Sequence, residues 1–312
     1  MKNQLLIGAL FISVGFVACN QKSATTEKPA AIKDVLVENM DTTINPADDF
    51  FGYACGGWIK KNPIPASEKG FGIWTMVMNE TYNRTKTISE EAGKSGAAKG
   101  SIEQKIGDFY FTGMDTVSID KNGITPLKPE LDAINNIKTK EDVLATVARM
   151  QVYGASPFYS AGIYQDEMNS EQVTLHIGQG GIGLPDRDYY FNTDQLSSDI
   201  RKEYLNYIKE LLRISGEDEK KAQSNAKAVM DVETTLAKSC RKMEDLRDPY
   251  KNYNKMAVTD LGKLSTNINW TDFLSISGVK NLDSLIIGQP EFFKALDNAL
   301  KTVSLNDWKS YV

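Results

Sequence analysis

The stretch DDFFGYACGGWI, residues 48–59, contains the local signals that decide how this chain begins to fold. Asp48 and Asp49 stand directly before an apolar run, and acidic residues in this position favour a helix start. The glycine pair at 56–57 predicts the end of that short helix, because glycine commonly terminates helices. The aromatic residues within 50–74 are dense, and we expect most of them to lie in a core.

Beyond this stretch, apolar residues recur mostly at helical spacing, which predicts a mainly helical chain. Residues 219–246 form one long pattern of this kind, and Thr139 with Asp142 predicts a capped helix start. Apolar residues alternate between positions 158 and 177, which predicts one small β-hairpin. The glycine-rich passage 178–183 lacks a following helix start, so it predicts a loop and not a dinucleotide site.

The N-terminus has the anatomy of a secretory signal. Lys2 precedes an apolar run too short to span a bilayer comfortably, and Ala18 stands before Cys19 as in a bacterial lipobox. We therefore expect residues 1–18 to be a lipoprotein signal peptide and Cys19 to be lipidated, with a plain secretory signal as the alternative. Residues 19–40 are polar and predict a flexible tether to a globule that begins near residue 41. The expected location is the bacterial cell envelope, lipid-anchored at the periplasmic or outer-membrane surface.

Composition excludes some classes of function. The chain has 312 residues, a formal net charge of -5 and a pI near 5.2, so nucleic-acid binding has no electrostatic support. The length suits one large domain or two small ones. Cys55 and Cys240 could form one disulfide or remain two buried thiols, and the sequence leaves both open.

The sequence also limits catalysis. It contains one histidine, His176, whereas an H-E-x-x-H zinc site needs two histidines one helical turn apart. His176 stands in the predicted hairpin, and a lone histidine there is best interpreted as an ordinary strand residue. The carboxylate pairs at 48–49 and at Asp186 and Asp188 are explained by helix N-terminal charge or by Arg187. We assign no catalytic or metal-binding residue to this chain.

Several separated blocks nevertheless resemble one family. The stretch 48–59 is similar to the opening of the neprilysin-like zinc metallopeptidases, and GIGLPDRDYY at 181–190 resembles their G-x-G-L-P-x-R-D-Y-Y passage. Later blocks between residues 233 and 311 follow in the same order. The motif residues, expected to be structural, are Asp49, Phe50, Tyr53, Cys55, Gly56, Trp58, Leu184, Pro185, Arg187, Asp188, Tyr189, Tyr190, Arg247, Asp248, Tyr253 and Asn254.

The resemblance implies a mainly α fold: a multi-helical lobe of a two-lobed peptidase with one small β-hairpin, cut short at Val312. Residues 41–75 would open the catalytic lobe, and residues 76–312 would form an incomplete helical sieve lobe. The family's zinc site lies in a C-terminal half that is absent here, where the partner of Cys55 would also lie. The complete enzyme would use zinc to hydrolyse oligopeptides, and this chain would be inactive alone.

Two further interpretations stay open. The chain could be a non-catalytic helical lipoprotein that binds peptides or another protein. It could also bind glycans through an exposed aromatic platform near Trp58 or Trp74. The sequence does not determine the oligomeric state.

Overall fold

The computed structural model describes residues 34–312, which fall into two compact units, 34–115 and 116–312. The predicted signal peptide and the lipidation site Cys19 lie outside the described residues. The short helix Val35–Asn39 lies within the segment for which we expected a tether.

The first unit is helical. Its helices are α1 (Val35–Asn39), α2 (Phe50–Lys61), α3 (Ile73–Lys94) and α4 (Ile102–Met114). Helix α2 begins as predicted, because the Asp49 side chain accepts a hydrogen bond from the Gly52 N–H at 2.8 Å.

The prediction that α2 ends at its glycine pair is wrong, since the helix continues to Lys61. A Cβ on Gly56 would lie 2.8 Å from the Cβ of Asp41, and one on Gly57 would lie 2.6 Å from the Met40 carbonyl oxygen. The two glycines therefore let the preceding chain pack directly on the helix, and their role is close approach and not termination.

Helices α3 and α4 approach closely through small residues. A Cβ on Gly107 would lie 2.6 Å from the Cα of Gly93, so only glycine fits at this crossing. The expectation that the aromatics of 50–74 form a core is wrong for several of them, because Phe50 is 70% exposed and Trp74 is 80% exposed. Trp58 instead stacks on Phe71 with ring centroids 6.0 Å apart. The first unit buries few large side chains, which leaves its apolar residues on the surface.

The second unit contains nine helices and four strands within residues 116–312. The helices are α5 (Thr116–Asn122), α6 (Lys128–Asn135), α7 (Lys140–Val152), α8 (Asp188–Phe191), α9 (Gln195–Ile214), α10 (Glu219–Ser239), α11 (Trp270–Ile276), α12 (Pro290–Thr302) and α13 (Leu305–Tyr311). The strands are β1 (Ser160–Asp166), β2 (Asn169–Gly178), β3 (Asn254–Ala257) and β4 (Ser284–Ile287). Helix α7 begins with the predicted capping box, in which Thr139 and Asp142 satisfy each other's backbone N–H groups.

The strands form one sheet in the order β1-β2-β4-β3. The predicted hairpin is confirmed as β1 and β2, which pair antiparallel with Ile163 opposite Leu175. Strand β4 adds parallel to β2, and β3 adds antiparallel to β4, so the sheet is larger than the single hairpin that we predicted. Four-residue strands paired over long sequence distances leave no local periodicity to detect.

The core of the second unit lies between the sheet and helices α7, α10, α11, α12 and α13. It is rich in aromatic side chains, and the fully buried ones are Phe158, Tyr159, Phe292, Phe293 and Trp308. The rings of Phe158 and Trp308 lie 5.1 Å apart, which packs the entry to β1 against α13.

Helix α10 ends at Ser239, short of the predicted end near residue 246. The backbone of Arg241 forms two hydrogen bonds with the Gln179 side chain: its N–H donates at 2.7 Å and its carbonyl accepts at 3.1 Å. These bonds replace the helical ones, so the chain leaves the helix there. No helix of residues 34–312 combines the length and apolar character that crossing a membrane requires.

Candidate functional site

Glu233 on α10 is a buried carboxylate surrounded by tyrosines. The hydroxyl of Tyr190 donates to its Oε2 and the hydroxyl of Tyr204 donates to its Oε1, each at 2.8 Å. Burial raises the pKa of Glu233 above its ordinary value, and the tyrosine hydrogen bonds oppose that rise only in part. Glu233 lies within the later blocks of the resemblance, but no role was predicted for it.

The passage 181–190 folds around this carboxylate. The Tyr190 hydroxyl oxygen accepts hydrogen bonds from the N–H groups of Gly183 and Leu184, both at 3.1 Å, while it donates to Glu233. A Cβ on Gly183 would lie 1.8 Å from the hydroxyl oxygen of Tyr204, so a side chain there would displace that tyrosine. These bonds fix the backbone of Gly183 and Leu184 against Tyr190.

Tyr311 and Arg201 form further hydrogen bonds to the backbone around this loop. The Tyr311 hydroxyl lies 2.8 Å from the carbonyl oxygen of Gly181 and also contacts the Pro157 carbonyl. Arg201 donates to the carbonyl oxygens of Tyr189 at 2.6 Å and of Asn192 at 2.8 Å, which closes the C-terminal end of α8. Sequence reasoning missed Arg201, because one basic residue on an amphipathic helix has no distinguishing pattern.

The remaining residues of the motif lie at the loop surface. The N–H of Asp188 donates to the Asp186 carboxylate at 2.8 Å, and Arg187 donates to the Asp188 carboxylate at 3.2 Å. This agrees with the prediction that the acidic pair serves the helix start and the arginine. The guanidinium carbon of Arg187 lies 5.2 Å from the ring centroid of Phe191, and Pro185 is exposed.

A second polar cluster forms at the hairpin tip, around Asp166. Its carboxylate accepts from Lys255 Nζ at 2.8 Å and from the Tyr253 hydroxyl at 2.9 Å, and its side chain is fully buried. The lysine hydrogen bond lowers the pKa of Asp166 to about 2, against the effect of burial. Sequence reasoning missed Asp166, because one aspartate in a polar turn carries no pattern.

His176 lies on β2, as predicted, and is partly buried. Its Nε2 lies 3.1 Å from a carboxylate oxygen of Glu167, and its ring meets Tyr164 edge-on with centroids 5.6 Å apart. Nucleophilic catalysis would need a serine or cysteine side chain hydrogen-bonded to this ring. Among the described residues, no such side chain is bonded to it.

The block at 247–254 shapes a turn and a strand. The Asp248 carboxylate accepts from the N–H groups of Tyr250 and Lys251 at 3.0 and 3.1 Å. Asn254 begins β3 and its side-chain amide donates to the Ile287 carbonyl on β4 at 2.9 Å. Arg247 is exposed at the end of a short 3₁₀ turn. These motif residues stabilise the connection between α10 and the sheet.

In the first unit, Asp41 joins the segment that precedes α2 to that helix. Asp41 accepts hydrogen bonds from Lys60 at 2.5 Å and from the Thr43 hydroxyl at 2.5 Å, and these bonds lower the pKa of Asp41 to about 2. Tyr53 is half-buried, and the carbonyl oxygen of this residue accepts from the Asp41 N–H at 2.7 Å. Cys55 is a free, partly buried thiol, and Cys240 in the second unit is free and buried.

The described residues do not fit a metal site. No group of three or more His, Cys, Asp or Glu side chains within 34–312 is placed to hold a metal ion. Two surface grooves occur in the second unit, one along α10 and one between α7 and α11, and no motif residue lines either of them.

Comparison with known proteins identifies the family. The model of the N-terminal region of peptidase family M13 matches residues 46–312, and the chain belongs to peptidase family M13. Endothelin-converting enzyme 1 of Cavia porcellus is 27% identical over 326 residues, which cover 97% of this chain and 42% of that protein. Neprilysin-3 of Drosophila melanogaster is 27% identical over 281 residues, covering 85% and 36%.

Solved structures show the same fold. Zinc metalloprotease Zmp1 of Mycobacterium tuberculosis superposes with a TM-score of 0.81 at 24% identity, over 88% of this chain and 42% of that one. PepO from Lactobacillus superposes with a TM-score of 0.68 at 15% identity, over 82% and 40%. The chain thus spans less than half the length of these relatives, and it corresponds to their helical N-terminal lobe.

Proposed function

We propose that this chain is the N-terminal part of a zinc-dependent metalloendopeptidase that hydrolyses oligopeptides. The observation that carries this proposal is the family match over residues 46–312 in a chain that spans 42% of its relative's length. Because residues 34–312 contain no cluster of metal ligands, the zinc and the catalytic groups would come from sequence beyond this part, and the chain would be inactive alone.

The test compares two products from the same source. The product of the complete reading frame should hydrolyse a fluorogenic oligopeptide, and a chelator should abolish this activity until zinc is restored. The 312-residue chain, prepared in parallel, should show no hydrolysis with or without zinc. Activity that resists the chelator, or hydrolysis by the shorter chain, would contradict the proposal.

A second candidate is binding without catalysis, and the exposed aromatic side chains of the first unit favour it. Trp74 on α3 is 80% exposed and Phe109 on α4 is 84% exposed. Binding of a peptide, a protein or a glycan there should weaken in Trp74→Ala while the helical content stays unchanged. If the complete product hydrolyses peptides, this candidate is displaced as the main function.

We also propose that the protein is anchored to the cell envelope by lipid on Cys19. The support is the signal anatomy of residues 1–18 and the cysteine that follows it. Cells fed a labelled fatty acid should yield labelled protein in the detergent phase, and Cys19→Ser should remove the label. Label that persists in this variant would refute the anchor.

A further inference from the structure

Strand β1 is an edge of the sheet in the second unit. Within the described residues it pairs only with β2, and the sheet order places nothing on its other side. In an antiparallel pair, alternate residues direct their N–H and C=O groups away from the partner strand. About half of the backbone groups of Ser160–Asp166 are therefore available to another strand.

This edge lacks the features that usually protect one. Residues 160–165 contain no charged residue and no proline, and the charge of Asp166 is satisfied by Lys255. The one irregularity in the pairing lies at the end of the strand, between residues 165 and 166. The opposite edge provides a contrast, because β3 has four residues and carries Lys255 in its interior.

Apolar side chains flank the free edge on both faces. Ile163 on β1 is 71% exposed on one face. Val173 is 69% exposed on the same face, because it pairs with Gln165, but it lies on β2, where β1 separates it from an added strand. Tyr164 is exposed on the other face. A strand added beside β1 would gain main-chain hydrogen bonds together with apolar contacts above and below the sheet.

The size of this edge favours a peptide over a second protein surface. Seven residues span about 23 Å, and a strip about 10 Å wide along that length covers roughly 230 Å². Stable dimers bury roughly 800 Å² on each partner, so β1 alone is too small for one. Glu167 and Glu171 are exposed at the hairpin tip, which disfavours an acidic ligand.

We propose that the free edge of β1 binds an extended peptide segment, neutral or basic and bearing apolar side chains, by strand addition. The inference rests on the proposed peptidase function for the source of such peptides. It assigns to residues 160–166 a substrate-holding role separate from hydrolysis.

The first test measures binding to the product of the complete reading frame. The probe is a fluorescein-labelled peptide of alternating threonine and valine with a lysine at each end. Its binding is measured by fluorescence anisotropy. Ile163→Lys should raise its Kd at least about fivefold, because it places a charge beside the apolar face of the bound strand. Val173→Lys is the matched control, with equal exposure one strand further from the edge, and should change Kd less than about twofold.

Two measurements on the unmutated protein make the test independent of folding defects. A probe N-methylated at every second residue keeps its side chains but loses alternate main-chain donors, and it should not bind. Hydrogen exchange at the amides of residues 160–166 should slow when the unmethylated probe is added. Equal binding of the methylated probe, or unchanged exchange at β1, would overturn the inference.

Hydrolysis is scored separately, on a tetrapeptide that is shorter than the seven residues of β1. If the probe does not bind the unmutated protein while the tetrapeptide is hydrolysed, this inference is overturned and the proposed function stands. Binding at β1 without any hydrolysis would support the inference and refute the proposed function.

Discussion

Replacing Tyr190 with phenylalanine tests the cluster around Glu233 most directly. Tyr190→Phe removes the hydrogen bond to Glu233 and also the acceptor used by the N–H groups of Gly183 and Leu184. Tyr204→Phe is the matched control, because it removes a hydrogen bond of equal length to the other oxygen of the same carboxylate and nothing else of this kind.

The two variants should lose different amounts of folding free energy. Each loses one hydrogen bond to a charged group, a loss of about 1.5–3 kcal/mol. Gly183 is exposed, so water replaces the lost acceptor there, whereas Leu184 is buried and its N–H would remain without a partner. An unsatisfied buried donor destabilises by about 1–3 kcal/mol, and Tyr190→Phe should exceed Tyr204→Phe by that amount.

The assay is urea unfolding of the second unit. Unfolding is monitored through hydrogen exchange at the α10 amides, so that the first unit does not contribute to the signal. With a slope near 2 kcal/mol per molar, the difference separates the two unfolding midpoints by about 0.5–1.5 M. Equal midpoints, or a lower midpoint for Tyr204→Phe, would refute the assignment of Tyr190 as the residue that organises the loop.

Three other predictions test separate parts of the fold. The pKa of Asp166 is lowered to about 2, so its stabilising contribution is present above pH 3.8 and is lost as the pH falls toward 2. In Asp166→Asn, the free energy of unfolding should therefore depend less on pH in that range, as measured by acid unfolding. Gly107→Ala should destabilise by about 1–3 kcal/mol in thermal unfolding, because a Cβ meets the α3 backbone. Gly113→Ala on the same helix meets open space and should stabilise by up to about 1 kcal/mol, and equal effects would contradict the close crossing. Burial raises the pKa of the Cys240 thiol to about 11, so iodoacetamide at neutral pH should label Cys55 first in mass spectrometry, and early labelling of Cys240 would contradict its burial.

The sequence predicted the helices, the hairpin and two caps because these features depend on neighbours along the chain. Asp49 and Thr139 cap their helices through bonds to residues three positions away, and such bonds require no tertiary contact. The motif blocks likewise identified the family.

The wrong predictions concern features that are set by residues distant in sequence. Gly56 was expected to end a helix, yet it continues the helix because Asp41 packs against it. Helix α10 was predicted too long, because Gln179 binds the backbone of Arg241 from 62 positions away. The exposure of Trp74 was also unexpected, since aromatic density does not reveal which surface a side chain meets.

By itself, the sequence determined the helical class, the hairpin and membership of a peptidase family, because periodicity, capping and motif order are properties of the chain. Only the tertiary structure decided that Glu233 is held by Tyr190 and Tyr204, that Asp166 pairs with Lys255, and that β1 is an edge of the sheet within residues 34–312. Each of these depends on the positions of residues 29 to 89 apart in sequence or on the order of strands in a sheet, and a hydrogen-bond partner at that distance has no signature in one chain.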